Sequence, residues 1–225
     1  MMAGAFHLKS APNLSNGWGP PLDLGAGNGV DLDIAKAINP SAKMCAVEFY
    51  EPNIAGLKSR DIEVHQLDIE RDRLPFENES VDIVIANQFL EHTKEIFWIM
   101  HETSRILKIN GKLILGVPNL ASLHNRLLLL AGMQPTPIQL FSAHVRAFTK
   151  SGLLDFLDIY SGYELIDFKG SNFYPFPPII AKSLAKMFPS LAWGNFFLLE
   201  KKKKYSNEFL DYPIREKLQT NFYLG

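Results

Sequence analysis

Short apolar runs and helix-spaced apolar stripes alternate along the first half of the chain. Pro20-Pro21-Leu22-Asp23-Leu24 reads as a short strand whose prolines confine its start to the edge of hydrogen bonding. From Asp31 to Ile38 the apolar positions Leu32, Ala35 and Ile38 share one helix face, and Asn39-Pro40 stops it. Met44 to Val47 predicts a second strand, Pro52 to Lys58 a short helix with proline in its first turn, and Ile62 to Leu67 a third strand. Val81 to Ala86 is almost continuously apolar, as a strand covered on both faces should be. Ile96, Ile99, Met100, Thr103, Ile106 and Leu107 then recur at helical spacing. Asn110-Gly111 is expected to close that helix, and Lys112 to Val117 is a fifth strand.

Strand and helix in strict alternation over 20–118 imply right-handed crossovers. The fold class is therefore α/β: a Rossmann-like, doubly wound, mostly parallel sheet with helices on both faces. Beyond Pro118, helices are expected over Leu120–Gly132 and Lys150–Ile159, and strands over Tyr163–Lys169 and Asn195–Glu200, which makes seven strands. Between the last two lies a Pro-rich segment that turns helical, with Ile180, Leu184, Met187, Phe188 and Leu191 on one stripe. The expected organisation is a loose arm (1–19), one domain (20–200) with inserts at 119–148 and 171–193, and a polar tail (201–225). No internal repeat is visible.

Composition narrows the function classes. A length of 225 residues suits one embellished domain, and 47% apolar against 21% charged residues gives a core large enough to exclude general disorder. Lys+Arg 23 against Asp+Glu 24 argues against a nucleic-acid partner bound through bulk positive charge. Cys45 is the one cysteine, so no internal disulfide forms and no cysteine metal site exists. No apolar stretch approaches the roughly 20 residues of a membrane-spanning helix, and Met1–Pro12 is too mixed for a signal peptide. A cytoplasmic location is expected. Sixteen Phe, seven Tyr and three Trp crowd the second half, as a core, an apolar pocket or a lipid-touching surface would require. The run Lys201–Lys204 is expected to be a solvated face, with peripheral contact to an anionic membrane as the alternative.

The candidate chemistry sits at the ends of the predicted strands. Asp23-Leu24-Gly25-Ala26-Gly27-Asn28-Gly29 lies between a strand and a helix, where glycines permit a tight turn and close ligand approach to backbone N–H groups. The dinucleotide fingerprint would need glycine at position 30, where Val30 stands. Glu48 ends the second strand, where a carboxylate can accept both hydroxyls of a ribose. Asp68 follows the third strand and can receive an adenine amino group. Ala86-Asn87-Gln88-Phe89-Leu90-Glu91-His92 follows the fourth.

These pieces, in this order, resemble the class I S-adenosylmethionine-dependent methyltransferases, in particular the small-molecule group that includes the ubiquinone-biosynthesis O-methyltransferases. Leu74-Pro75-Phe76, Ser80 to Val84, Leu90-Glu91-His92, Arg105 to Lys108 and Val117-Pro118-Asn119 fall where that group carries similar strings, over roughly positions 20–120. The resemblance implies S-adenosylmethionine as cofactor and S-adenosylhomocysteine as product, with no metal. It implies that Gly25, Ala26, Gly27 and Gly29 pass under the methionine and ribose, and that Asp23 lies near the amino group. Glu48 would hold the ribose, Phe49 pack on adenine, Asp68 and Ile69 read its edge, and Asn87 line the methionine end. Three features depart from the group: Ile109-Asn110-Gly111 before the fifth strand, Pro20-Pro21 in the first, and an N-terminal arm that lacks the usual covering helix.

A sulfonium already supplies the electrophile, so a protein base is needed only for a hydroxyl or protonated amine. His92 and His144 are the candidates, with packing of the insert as the competing role. Phe141, His144 and Arg146 are candidate substrate contacts, Phe141 and Leu140 being expected to face inward. His65 and His101 read as surface or core residues. The expected reaction is methyl transfer to an O, N or C atom of a small, partly apolar acceptor. Two other classes stay open: a non-catalytic partner protein that keeps the fold, and an NAD-dependent oxidoreductase, which Val30 weakens.

Overall fold

The computed structural model describes residues 19–218. The arm expected over 1–19 thus falls, but for Gly19, outside the described residues, as do Phe222 and Tyr223 of the tail. In chain order the elements are β1 (Pro21–Leu24), α1 (Val30–Ile38), β2 (Cys45–Val47), α2 (Glu51–Lys58) and β3 (Glu63–His65). Then come β4 (Val81–Asn87), α3 (Ile96–Ile106), β5 (Leu107–Pro118), α4 (Leu123–Leu130) and α5 (Lys150–Leu157). The last four are β6 (Tyr163–Ser171), α6 (Pro178–Met187), β7 (Gly194–Lys201) and α7 (Glu208–Arg215).

The seven strands form one sheet in the order β3-β2-β1-β4-β5-β7-β6. Pairings from β3 through β5 are parallel, while β7 runs antiparallel to both β5 and β6. Side chains alternate across the pleat: Val84 and Ala86 of β4 join one apolar cluster, Ile83 and Ile85 the other. The first cluster takes Ile99 and Met100 of α3, Leu153 and Leu157 of α5 and Phe209 of α7; the second takes Leu32 and Ala35 of α1 and Leu57 of α2. Burying each such Leu or Ile is worth about 1.5–3 kcal/mol, which fixes the helices on both faces. Successive strands leave β1 in opposite directions, toward β2 on one side and β4 on the other. The crevice at their carboxyl ends is where doubly wound sheets bind ligands. Among the described residues, no helix is long and apolar enough to cross a membrane.

Two expectations change. Asn110-Gly111 does not end a helix; α3 already stops at Ile106, and the pair lies in an irregularity of β5 where β4 pairing jumps from Leu107 to Lys112. Asn110 takes a left-handed φ of 66° there. The Lys201–Lys204 run is not simply solvated. Lys201 is fully buried and its Nζ donates to the carbonyls of Ser104 (2.9 Å) and Leu107 (2.7 Å), beside Glu79. These carbonyls close the C-terminus of α3, which favours a cation. Lys202 pairs with Glu164 and Glu200, and Lys203 donates to Ser161. Within the polar tail, α7 sinks Phe209 into the core beside Tyr205 and Tyr160.

Candidate functional site

Gly25, Gly27 and Gly29 follow β1 with φ of +67°, +52° and +69°, a region that glycine alone enters without strain. A Cβ on Gly25 would meet Phe89 Cδ2 at 2.3 Å, and one on Gly29 would meet Leu57 Cδ2 at 2.5 Å. Over Gly27, by contrast, nothing lies within 4 Å. Gly25 is thus held to glycine by the Phe89 ring as well as by its φ, Gly29 chiefly by its φ, and the middle glycine faces open space. The loop is pinned from beneath by Gly25 N and Ala26 N, which donate to the carbonyl of Val47 at 2.9 and 3.3 Å. Val30 opens α1 and is half exposed, at the position where a dinucleotide fold would need glycine.

Three carboxylates surround this loop. Glu48, 8% exposed, accepts from Gly27 N (2.7 Å), Tyr50 N (2.8 Å) and Asn53 Nδ2 (3.3 Å). Asp23 is 3% exposed, and burial, reinforced by the charges of Asp31 and Glu48, pushes its carboxyl well above the usual range. Asp31 is also raised by burial, opposed by a 2.8 Å hydrogen bond from Asn87 Nδ2. The other atom of that amide, Asn87 Oδ1, is buried with no partner. Crowded acids, an unpaired amide oxygen and free space above Gly27 suit a ligand with positive centres. The ammonium and sulfonium of S-adenosylmethionine match this donor set, so the residues present fit that cofactor.

Glu48, Gly27, Asp23, Asp31 and Asn87 thus form one connected set. Phe49 and Tyr50 stand next to it, 68% and 62% exposed, with open rings beyond β2. Asp68 lies in the loop after β3, where it accepts from Glu70 N at 3.0 Å and is partly exposed, while Ile69 is buried. Its hydrogen bonds hold its own turn.

A second cluster follows β4. Leu90–His92 forms a single 3-10 turn, and Glu91 is 1% exposed. Burial raises the Glu91 carboxyl to about 7, and its Oε2 has no partner. The backbone carbonyl of Glu91 accepts from Val145 N (2.8 Å) and Arg146 N (3.2 Å), which docks the end of the first insert on this turn. His144 therefore comes to His92, ring centroids 4.7 Å apart at 77°. Burial, and then His144, lower the basicity of His92. Arg146 turns away, donating from Nη2 to the carbonyl of Lys94 at 2.6 Å. Leu140 and Phe141 do not face inward: they are 92% and 89% exposed on a turn closed by Ser142 N to Gln139 O. His101 is held in the core by Tyr205, and His65 lies edge-on to Phe76.

Sequence reasoning missed two members. Asp31 stands two residues after the third glycine, in the first turn of α1, where it meets Asn87. Glu91 was visible beside His92, but only the folded chain shows that it is buried.

A family model described as a methyltransferase domain matches residues 22–115. A Mycobacterium tuberculosis protein named as a probable S-adenosylmethionine-dependent methyltransferase is 29% identical over 98 residues, which is 44% of this chain and 35% of that protein. The chain spans about a third of the length of the curated relatives it matches. Among solved structures, the complex of the Haloferax volcanii Trm112 methyltransferase activator with a methyltransferase contains a similar chain. It superposes with a TM-score of 0.63 at 15% identity, covering 91% of each chain. An S-adenosylmethionine-dependent methyltransferase of Thermotoga maritima gives 0.60 at 22% identity over 90% of each.

Proposed function

We propose that this chain is a class I S-adenosylmethionine-dependent methyltransferase that binds that cofactor over its glycine loop and methylates a small, partly apolar acceptor. The observation that carries this reading is the set of buried acids, Asp23, Asp31 and Glu48, around a loop that leaves space above Gly27. Bound S-adenosylmethionine supplies a methyl group already activated by its sulfonium. The work left to the chain is to bind, align and screen.

Asp23 and Asp31 offer negative charge to the amino and sulfonium groups. Glu48 already uses three acceptor sites, so a ribose hydroxyl takes the remaining one or displaces Gly27 N–H. Phe49 or Tyr50 covers the adenine, and Asp68 with Ile69 reads its edge. The acceptor side is the corner of His92 and His144. Burial holds His92 neutral at pH 7, so its ring can take the proton of a hydroxyl or ammonium acceptor.

The inserts support an apolar acceptor. No Asp or Glu occurs between Pro118 and Leu154, or between Lys169 and Leu199. Beside β7, a cavity lined by Phe173, Tyr174, Phe176 and Trp193 opens near the carboxyl end of β5, to which Asn119 N and Trp193 O tie it at 2.8 Å. Calorimetry with S-adenosylmethionine, S-adenosylhomocysteine and NAD tests the cofactor reading, and transfer of a labelled methyl group into a metabolite extract tests turnover. Binding of NAD without binding of either sulfur cofactor would overturn it.

A further inference from the structure

The corner after β4 has more in it than a base. Glu91, His92 and His144 each present a ligand atom, and these atoms all lie within 4.8 Å of one another. His144 is oriented as metal-binding histidines are, by a hydrogen bond on one ring nitrogen that leaves the other free to ligate. His144 Nδ1 is 2.9 Å from the carbonyl of Pro137. A carbonyl only accepts, so Nδ1 carries the proton and Nε2 presents a lone pair. Independently, Glu91 is 99% buried and its Oε2 has no partner, an arrangement that costs a folded protein free energy unless something meets that oxygen.

We propose that Glu91, His92 and His144 bind a divalent first-row transition ion, with zinc as the best-suited occupant. Two imidazoles and one carboxylate are the donor set of zinc and related ions, and two nitrogens in three disfavour magnesium or calcium. Bonds of about 2.0–2.1 Å would draw the three atoms inward by small side-chain rotations. The set is incomplete in a useful way. Three protein ligands leave at least one position open for water or for an oxygen of a substrate. The site lies in the loop whose Phe89 covers Gly25, so it borders the cofactor loop. On the methyltransferase reading, and only on it, the acceptor is an oxygen-bearing molecule whose hydroxyl the ion polarises, which then relieves His92 of its role as base. The sequence expectation of no metal is set aside here because the unpaired Glu91 oxygen is not visible in sequence.

The test uses the full chain, free of any affinity tag and stripped with a chelator, titrated with zinc chloride in a calorimeter at pH 7. The expected result is one ion per chain with a Kd of about 1 µM or tighter, and at least tenfold weaker binding for Glu91→Gln and for His144→Gln. The cobalt-loaded wild type should show the visible absorption of a low-coordinate nitrogen–oxygen site. This measurement does not depend on either variant folding. A wild type that binds neither ion, or variants that fold and bind zinc as tightly as wild type, would overturn the site. S-adenosylhomocysteine titrated into the same sample reads the methyltransferase assignment separately: its failure with zinc binding intact counts against that assignment and not against the ion.

Discussion

The Asp23→Asn substitution should make the free protein more stable and a poorer binder of a cationic ligand. Asp23 is held among apolar neighbours and two further acids, and its carboxyl is raised well above the usual range, first by burial and then by Asp31 and Glu48. A raised value means that the folded state holds the proton more tightly than the unfolded chain. Between the unfolded value near 3.9 and the raised one, the folded state therefore binds more protons, and stability falls as pH rises. Ionising Asp23 in the folded state therefore carries a burial penalty that grows as pH rises. Asparagine has no such penalty, and a gain on the order of 1–3 kcal/mol follows once the imperfect pairing of its amide is allowed for. For a chain of this length that is roughly 2–4 °C in Tm per kcal/mol. The gap between variant and wild type, followed by calorimetric melting from pH 4 to pH 8, should be near zero at the acid end and grow with pH. Affinity for S-adenosylmethionine should meanwhile fall by about 10- to 100-fold, since one charge opposite the ligand cations is gone. Equal melting temperatures at pH 7, or a gap that does not change with pH, would refute the electrostatic reasoning.

Other outcomes follow from the same geometry. Gly27→Ala should cost only about 1–2 kcal/mol of stability, for a left-handed alanine, yet abolish measurable cofactor binding, because its methyl enters the open space; thermal melting and calorimetry on one sample separate the two effects. Glu48→Ala should weaken cofactor binding by more than tenfold and exceed the effect of Asp68→Ala, because Glu48 also anchors Gly27 N and Tyr50 N while Asp68 is partly exposed; equal affinities in the two variants would contradict this. Residues 120–148 should gain hydrogen-exchange protection when S-adenosylhomocysteine and acceptor bind, since Leu140 and Phe141 stand ready to fold over the corner. Protection confined to 1–19 would make the arm the cover instead.

What could be read from the sequence was what local physics repeats. Val81–Ala86 announced β4 because a strand covered on both faces has no polar side to show, and α1 because Leu32, Ala35 and Ile38 fall on one face. The glycine loop was legible for a different reason: left-handed φ values are a demand that residue type alone can meet. Asn110-Gly111 misled because the same pair serves a helix end and a strand irregularity, and only its partner strand distinguishes them. The buried charges were not legible at all. Lys201 heads a run of four lysines, and nothing local says that the first of them answers the carbonyls at the end of α3, which β7 brings alongside. Glu91 is the same case at the site. In sequence it is an acidic residue beside a histidine; in the fold it follows the carboxyl end of β4, and the chain returning at Val145 and Arg146 docks on its backbone carbonyl. Whether a charged side chain is solvated or functional is decided by contacts between segments far apart in the chain. Those contacts have no period, and so they are where chemistry outruns pattern.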